Sequence, residues 1–115
     1  MEKDMQEKNE VRTMPEPVTI VPLVDIVENN EGVTLTFEVP GANSESVDIE
    51  VLNNIMTMSA KSSLQRNGHP VVFKRNFRLS EEVDVKQITA KTKDGVLTLE
   101  IPKAERAKVH RIKVQ

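Results

Sequence analysis

The side chains able to do acid–base, nucleophilic or metal chemistry are few and poorly placed for it. His69 and His110 lie far apart in the chain, and neither sits in the H-x-x-x-H spacing that would aim two imidazoles at one metal ion. Glu81, Glu82 and Asp84 cluster after Leu79-Ser80. A calcium loop needs ligands at alternating positions and a closing glutamate, and that spacing is missing, so the cluster reads as a solvated turn. Ser44, Ser46, Ser62, Ser63 and Ser80 occur without a G-x-S-x-G elbow or an adjacent base. The chain has no Cys, which excludes thiolate chemistry, disulfides and cysteine-centred zinc sites. Its four glycines are scattered at turn-like positions instead of forming a phosphate-cradling loop. The expectation is a protein that is not an enzyme and needs no cofactor or metal.

What remains is the chemistry of peptide recognition. Near the end of the chain Ile112 and Val114 flank Lys113, two β-branched residues on one face of a short extended segment. One reading is an ordinary last strand that pairs within its own sheet. The other is a docking peptide that adds to a sheet edge and fills two pockets with alternate side chains. From Ile101 to Ile112 an extended chain spans roughly 35 Å, enough to reach a neighbouring subunit.

Composition narrows the classes further. Sixteen basic against 18 acidic residues give a net charge of -2, with no basic excess to displace counterions from nucleic acid. Aromatics are limited to three Phe, too few for a base- or sugar-stacking platform. Apolar runs are only a handful of residues long, short of a membrane-spanning helix, and the charged start Met1-Glu2-Lys3-Asp4 lacks the apolar region of a secretory signal. The expectation is a soluble cytoplasmic protein that binds neither nucleic acid nor membrane. A chain of 115 residues is one domain, and it buries roughly two-thirds of its unfolded surface.

The elements that must position such a docking system are strands. Residues 1 to 14 are polar and charged, with Pro15 and Pro17 as breakers; the stretch 1–21 reads as a flexible arm. Beyond it, apolar residues recur with period two: Val33, Leu35, Phe37 and Val39; Val47, Ile49 and Val51; Val71, Phe73, Phe77 and Leu79; Leu97, Leu99 and Ile101. Such alternation places each set on one face of a half-buried strand. Turn signals separate the strands. Glu28–Gly32 links a run at 23–27 to the strand at 33–39, Asn53-Asn54 separates 47–52 from 55–60, and Asp94-Gly95 separates 88–93 from 96–101. Asn67-Gly68 is a further candidate, weakened by Pro70. No window carries helical periodicity. About seven short strands joined by turns predict an all-β antiparallel sandwich over 22–102. After Pro102, the stretch 103–108 is charged and small, a solvated tail by composition, so that 103–115 reads as a C-terminal extension.

On these residues the chain resembles the small heat-shock proteins, the alpha-crystallin family. Val24-Asp25-Ile26-Val27-Glu28 is similar to the family's opening strand, and Phe37-Glu38-Val39-Pro40-Gly41 to its E-x-P-G turn. Phe73-Lys74-Arg75-Asn76-Phe77-Arg78-Leu79 resembles its F-x-R-x-F-x-L strand. The stretch from Ala90 through Asp94-Gly95-Val96-Leu97 to Pro102-Lys103 resembles its D/N-G-V-L signature. Order and spacing agree over 22–103, and Ile112-Lys113-Val114 is similar to the family's C-terminal I-x-I/V motif.

The resemblance implies an immunoglobulin-like alpha-crystallin sandwich and an ATP-independent holdase that keeps unfolding proteins from aggregating. It also implies that Ile112 and Val114 of one subunit dock in a groove between two edge strands of another. Those strands match 47–52 and 88–93, which makes Ile49, Val51, Ile88 and Ala90 the expected docking groove and client patch, unless these four simply face the core. The family's strand arginine falls on Arg75. It shares parity with Phe73 and Phe77, so a charge emerges from an apolar face and needs either a carboxylate or a subunit boundary. Arg75, Phe73 and Phe77 are the expected dimer interface, with an exposed edge arginine as the alternative.

Two departures from the family bear on assembly. Only Lys61 to Val72 separates two strands where the bacterial and plant members carry a long swapped loop, which favours an edge-to-edge dimer through 71–79. The arm has no aromatic residue before Phe37, which points to a smaller assembly, or to mixed assembly with a longer-armed paralogue. The competing readings are a CS-type co-chaperone and a peptide-binding adaptor, both without general holdase activity.

Overall fold

The computed structural model describes residues 15–115; the charged stretch 1–14, with Met1, Met5, Val11 and Met14, lies outside the described residues. Strand formation follows the alternation. Eight strands run in chain order as β1 (Val18–Ile20), β2 (Val24–Asn29), β3 (Gly32–Glu38), β4 (Val47–Leu52), β5 (Ile55–Arg66), β6 (His69–Arg78), β7 (Thr89–Lys93) and β8 (Val96–Pro102). They form two four-stranded sheets of order β1-β6-β5-β4 and β2-β3-β8-β7. Single 3-10 turns lie at Val85–Gln87 and Glu105–Ala107.

Turn chemistry sets the hairpins. Asn53 and Asn54 (φ 51° and 62°), Asn67 and Gly68 (51° and 78°), and Asp94 and Gly95 (51° and 74°) each put two consecutive residues at positive φ. Each pair is the complete loop between adjoining strands, with Leu52 opposite Ile55, Arg66 opposite His69 and Lys93 opposite Val96. Two-residue loops of this kind match the right-handed twist of the strands they join, and Asn, Asp and Gly tolerate the left-handed backbone at least cost. The Asn67-Gly68 loop closes β5 onto β6 within one chain, despite Pro70. At the β2–β3 loop the Asn29 side-chain oxygen accepts from the Glu31 and Gly32 amides (2.8 and 3.2 Å). Gly32 sits at φ 151° against β8, where a Cβ would collide with the Ile101 carbonyl.

The core lies between the sheets. Leu35 and Phe37 of β3 and Leu97, Leu99 and Ile101 of β8 meet Met56, Met58 and Ala60 of β5 and Val71 and Phe73 of β6. Each large side chain among these contributes about 1.5–3 kcal/mol by leaving water. Phe37 and Phe77 meet edge to face, ring centres 5.5 Å apart.

Three features differ from the sequence reading. Val18–Ile20, inside the expected arm, is a strand: it pairs parallel to Val71–Phe73, with Ile20 packed on the core. β5 continues past Ala60 to Arg66, through a register irregularity between Lys61 and Gln65, because the local hairpin gives that stretch a partner. The segment after Pro102 is fastened to the body, as described below. Among the described residues no helix is long and apolar enough to cross a membrane.

Candidate functional site

Each sheet ends, on the same side of the sandwich, in a strand with one neighbour: β4 beside β5, and β7 beside β8. Between these two edges lies a shallow groove of about 120 Å³, lined by Ser44, Val47 and Ile49 on one side, Ala90, Lys91 and Thr92 on the other, and Leu97 below. Its volume is of the order of the ~150 Å³ apolar cavity that accepts one benzene-sized group. Alternation along β4 turns Val47, Ile49 and Val51 toward the core and Asp48, Glu50 and Leu52 to solvent. Of the four expected groove residues, the fold brings Ile49 and Ala90 together. Val51 and Ile88 lie half-buried against the core. Val47, Thr92 and Leu97 were not among the expected groove residues. Leu97 appears there as core, and the alternation could not say that its strand passes beneath the opening.

The segment that could fill such a groove is not in it. Ile112 and Val114 are 88% and 90% exposed, so the ordinary-last-strand reading fails for this chain taken alone. The root of the tail, in contrast, is held. Lys103 N–H donates to the Glu31 carbonyl (2.9 Å), Ala104 N–H to Glu82 (2.7 Å), and Arg106 Nη2 to Glu81 (3.0 Å). Lys108 Nζ lies 2.9 Å from both Glu31 Oε2 and Glu105 Oε1, and its side chain is only 17% exposed. Val109 N–H donates to Asn30 Oδ1 (3.0 Å), and the His110 ring Nε2–H to the Glu105 carbonyl (3.0 Å). The hydrogen bond from Lys108 and its charge hold the Glu105 carboxyl below the ordinary carboxylate value. The same bonds to Glu105 and Glu31 push Lys108 above the ordinary lysine value. Charged composition suggested a solvated tail over 103–108; the partners lie some 20 to 80 positions away in sequence, beyond the reach of any local pattern.

On the opposite side of the sandwich, Arg75 is held within its own chain by something other than a carboxylate. Among the described residues no carboxylate lies within ion-pair distance of it. Its Nη1–H donates instead to the Pro22 carbonyl (2.9 Å), and its guanidinium lies 5.1 Å from the centre of the Phe77 ring. Phe73, expected at a dimer interface, is 7% exposed and belongs to the core of its own chain, so it has almost no surface left for a partner. Phe77 packs half-buried on Phe37. The outer edge of β6 is taken by β1 at Val71–Phe73, which leaves Lys74 to Arg78 as its open stretch.

The candidate catalytic groups are engaged locally. His69 Nδ1–H donates to the Glu16 carbonyl (2.9 Å), and the Asp84 carboxylate accepts from the Lys86 amide (3.2 Å) at the start of a 3-10 turn. Among the described residues, no three His, Asp or Glu side chains are grouped as a metal site.

Comparison with known proteins bears on the whole arrangement. The model of the Hsp20/alpha crystallin family matches residues 25–115. A small heat shock protein of Rickettsia felis is 33% identical over 103 residues, covering 81% of this chain and 63% of that protein; the chain thus spans less than two-thirds of that relative's length. An 18 kDa heat shock protein of Streptomyces albus is 33% identical over 106 residues, covering 84% of this chain and 73% of its own. Among solved structures, a small heat-shock protein of Xylella fastidiosa, described as having a distinct high order structure, superposes with a TM-score of 0.66. It is 26% identical and covers 85% of this chain and 99% of that one.

Proposed function

Because the chain belongs to the Hsp20/alpha crystallin family, we propose that it is an ATP-independent holdase of the cytoplasm, which binds unfolding proteins and assembles by docking its C-terminal tail. One observation carries the reading. The chain has an open groove between two edge strands, with Ile49 and Ala90 in its walls, and, separately, an Ile112-Lys113-Val114 segment whose two β-branched side chains find no cover among the described residues. Apolar side chains left in water at the end of a polar tail favour burial in a complementary slot. The groove walled by Ile49 and Ala90 is that slot, on another copy. Clients that expose apolar segments compete for it, and heat favours tail release because docking orders the last residues.

Dimerisation uses the open stretch of β6, Lys74 to Arg78, with Arg75 at the boundary. Its guanidinium has more donors than the Pro22 carbonyl takes, so a partner's acceptor satisfies the rest. The short polar arm supports a smaller assembly than in longer-armed members, including mixed assembly with one of them.

The test is light scattering from two unrelated heat-labile enzymes, with and without the protein and with ATP omitted. Suppression of both at near-stoichiometric amounts is the expected outcome. Suppression of neither would overturn the general-holdase reading in favour of a helper subunit or a dedicated adaptor.

A further inference from the structure

The most heavily constructed contact outside the sandwich core is the one between the root of the tail and the tip of the β2–β3 hairpin. Glu31 acts there twice: its carbonyl accepts from Lys103 N–H and its carboxylate meets Lys108. Asn30 caps the next amide, that of Val109. Glu105 closes the arrangement from within the tail, bridging to Lys108 with its carboxylate and to His110 with its carbonyl. Asn30 and Glu31 are exposed loop residues that the hairpin itself does not need for its core. The Asx contacts that shape this loop come from Asn29.

We propose that this hairpin tip is a leash: Asn30 and Glu31 hold Lys108 and Val109, shift the pivot of the tail from Arg106 to His110, and so commit Ile112 and Val114 to the groove of a second copy. The inference rests on the tail-docking reading above and adds what decides between docking at home and docking abroad.

Reach is the deciding quantity. With Val109 held, Ile112 is three residues away and extends at most about 11 Å from it. The register places Pro102 opposite Gly32 at the leashed end, and Ala90 opposite Leu99 three residues further down β8. By strand geometry Ala90 is therefore about 10 Å along the sheet and two strand spacings, about 10 Å, across it, roughly 14 Å in all. The Ile49 wall of the groove belongs to the other sheet, which packs about 10 Å deeper. A leashed Ile112 can at most touch the Ala90 rim of its own groove with its side chain and cannot seat between both walls. With the hairpin contacts cut, the next anchor back is Arg106 on the Glu81 carbonyl; a tail pivoting there has six residues to Ile112, roughly 20 Å when extended, and reaches the groove. The three residues from Arg106 to Val109 thus separate a tail that can close on itself from one that must link copies.

The test uses the full chain in two backgrounds. In Ile112→Ser/Val114→Ser, docking is removed, and the sharp NMR resonances of a freely moving tail report where mobility begins. They are expected to start at His110 or Arg111 with the hairpin intact, and to extend back to Ala107, next to the Arg106 anchor, in Asn30→Ala/Glu31→Lys. Sharp resonances starting at Ala107 or earlier with the hairpin intact would overturn the leash. In the docking-competent background, Asn30→Ala/Glu31→Lys is expected to shift the assembly, measured by multi-angle light scattering at equal concentration, to smaller particles as tails close on their own grooves. Lys108→Met, which cuts the same leash from the tail side without touching the hairpin, is expected to do the same. Unchanged mass in both leash variants, with the tail pivot moved, would overturn the commitment to a second copy. Unchanged mass in Ile112→Ser/Val114→Ser would instead remove the docking reading itself, while the resonances still report the pivot.

Discussion

Two segments of this chain share one design and meet opposite fates. Val18-Thr19-Ile20 and Ile112-Lys113-Val114 are each a polar residue between two β-branched ones, near an end of the chain and beside charged or proline-bearing sequence. The first is a strand of its own sandwich, lying parallel to Val71–Phe73 with Ile20 against the core. The second stands almost wholly in water. Local propensity cannot separate them, since both are good strand formers. The neighbouring anchors do. Val18–Ile20 is bracketed by His69 on the Glu16 carbonyl and Arg75 on the Pro22 carbonyl, which hold it over the β6 edge. The terminal segment is also preceded by anchors, but these fasten it to the β2–β3 tip, away from the β4–β7 groove. A short amphipathic segment becomes structure or ligand according to where the chain before or after it is tied.

Exchanging the roles of the two segments should produce opposite losses. Ile112→Ser/Val114→Ser is expected to have the largest effect: a collapse of large assemblies, seen by light scattering, with the denaturation midpoint of the domain nearly unchanged. The matching change, Val18→Ser/Ile20→Ser, is expected to lower stability, by about 1–2 kcal/mol for a half-buried isoleucine, read from the urea midpoint. Equal effects of the two double variants on stability would break the comparison.

Arg75→Ala sharpens it further. Losing one hydrogen bond and a cation–π contact is expected to cost about 1–2 kcal/mol, with faster amide exchange confined to β1 and the facing stretch of β6. Exchange that rises uniformly would mean that Arg75 supports the sandwich as a whole instead of holding β1.

The smallest effect is the pH response of the leash. Glu105 is held below its ordinary value, so its contribution is present above that value and is lost as pH falls through the lowered one. Lys108 is raised, so its contribution is full below the ordinary lysine value and is lost as pH rises through the raised one. Between these limits the root stays fastened. Acidification to below the ordinary carboxylate range is expected to extend the mobile tail back toward Arg106 in the docking-dead chain. No extension at acid pH would assign the hold to the contacts that need no carboxylate, the Asn30–Val109 bond and the bonds to backbone carbonyls.

Much of the sandwich was legible in sequence because its causes are local. Period-two alternation names the inward face of each strand, and Asn-Asn, Asn-Gly and Asp-Gly supply the positive φ that two-residue hairpins need. The family signature from Phe37 to Pro102, and the terminal I-x-V, were likewise readable as ordered residues. Legibility fails where two distant segments meet. Phe73 and Arg75 have the same parity, yet one is core and the other reaches across to Pro22, because the sheet edge ends between them.

The sequence by itself determined that this is a mostly antiparallel β protein, that Ile49 and Val51 share a face, and that Ile112 and Val114 share another near the end of the chain. Each of those follows from residue type and spacing over a few positions. Only the tertiary structure decided that Ile49 meets Ala90 across an opening between two sheets, that Val18–Ile20 covers β6, and that Asn30 and Glu31 hold a tail root 77 to 79 positions away. These depend on which edges the packing of one sheet on another brings side by side, and no periodicity along a single strand carries that information.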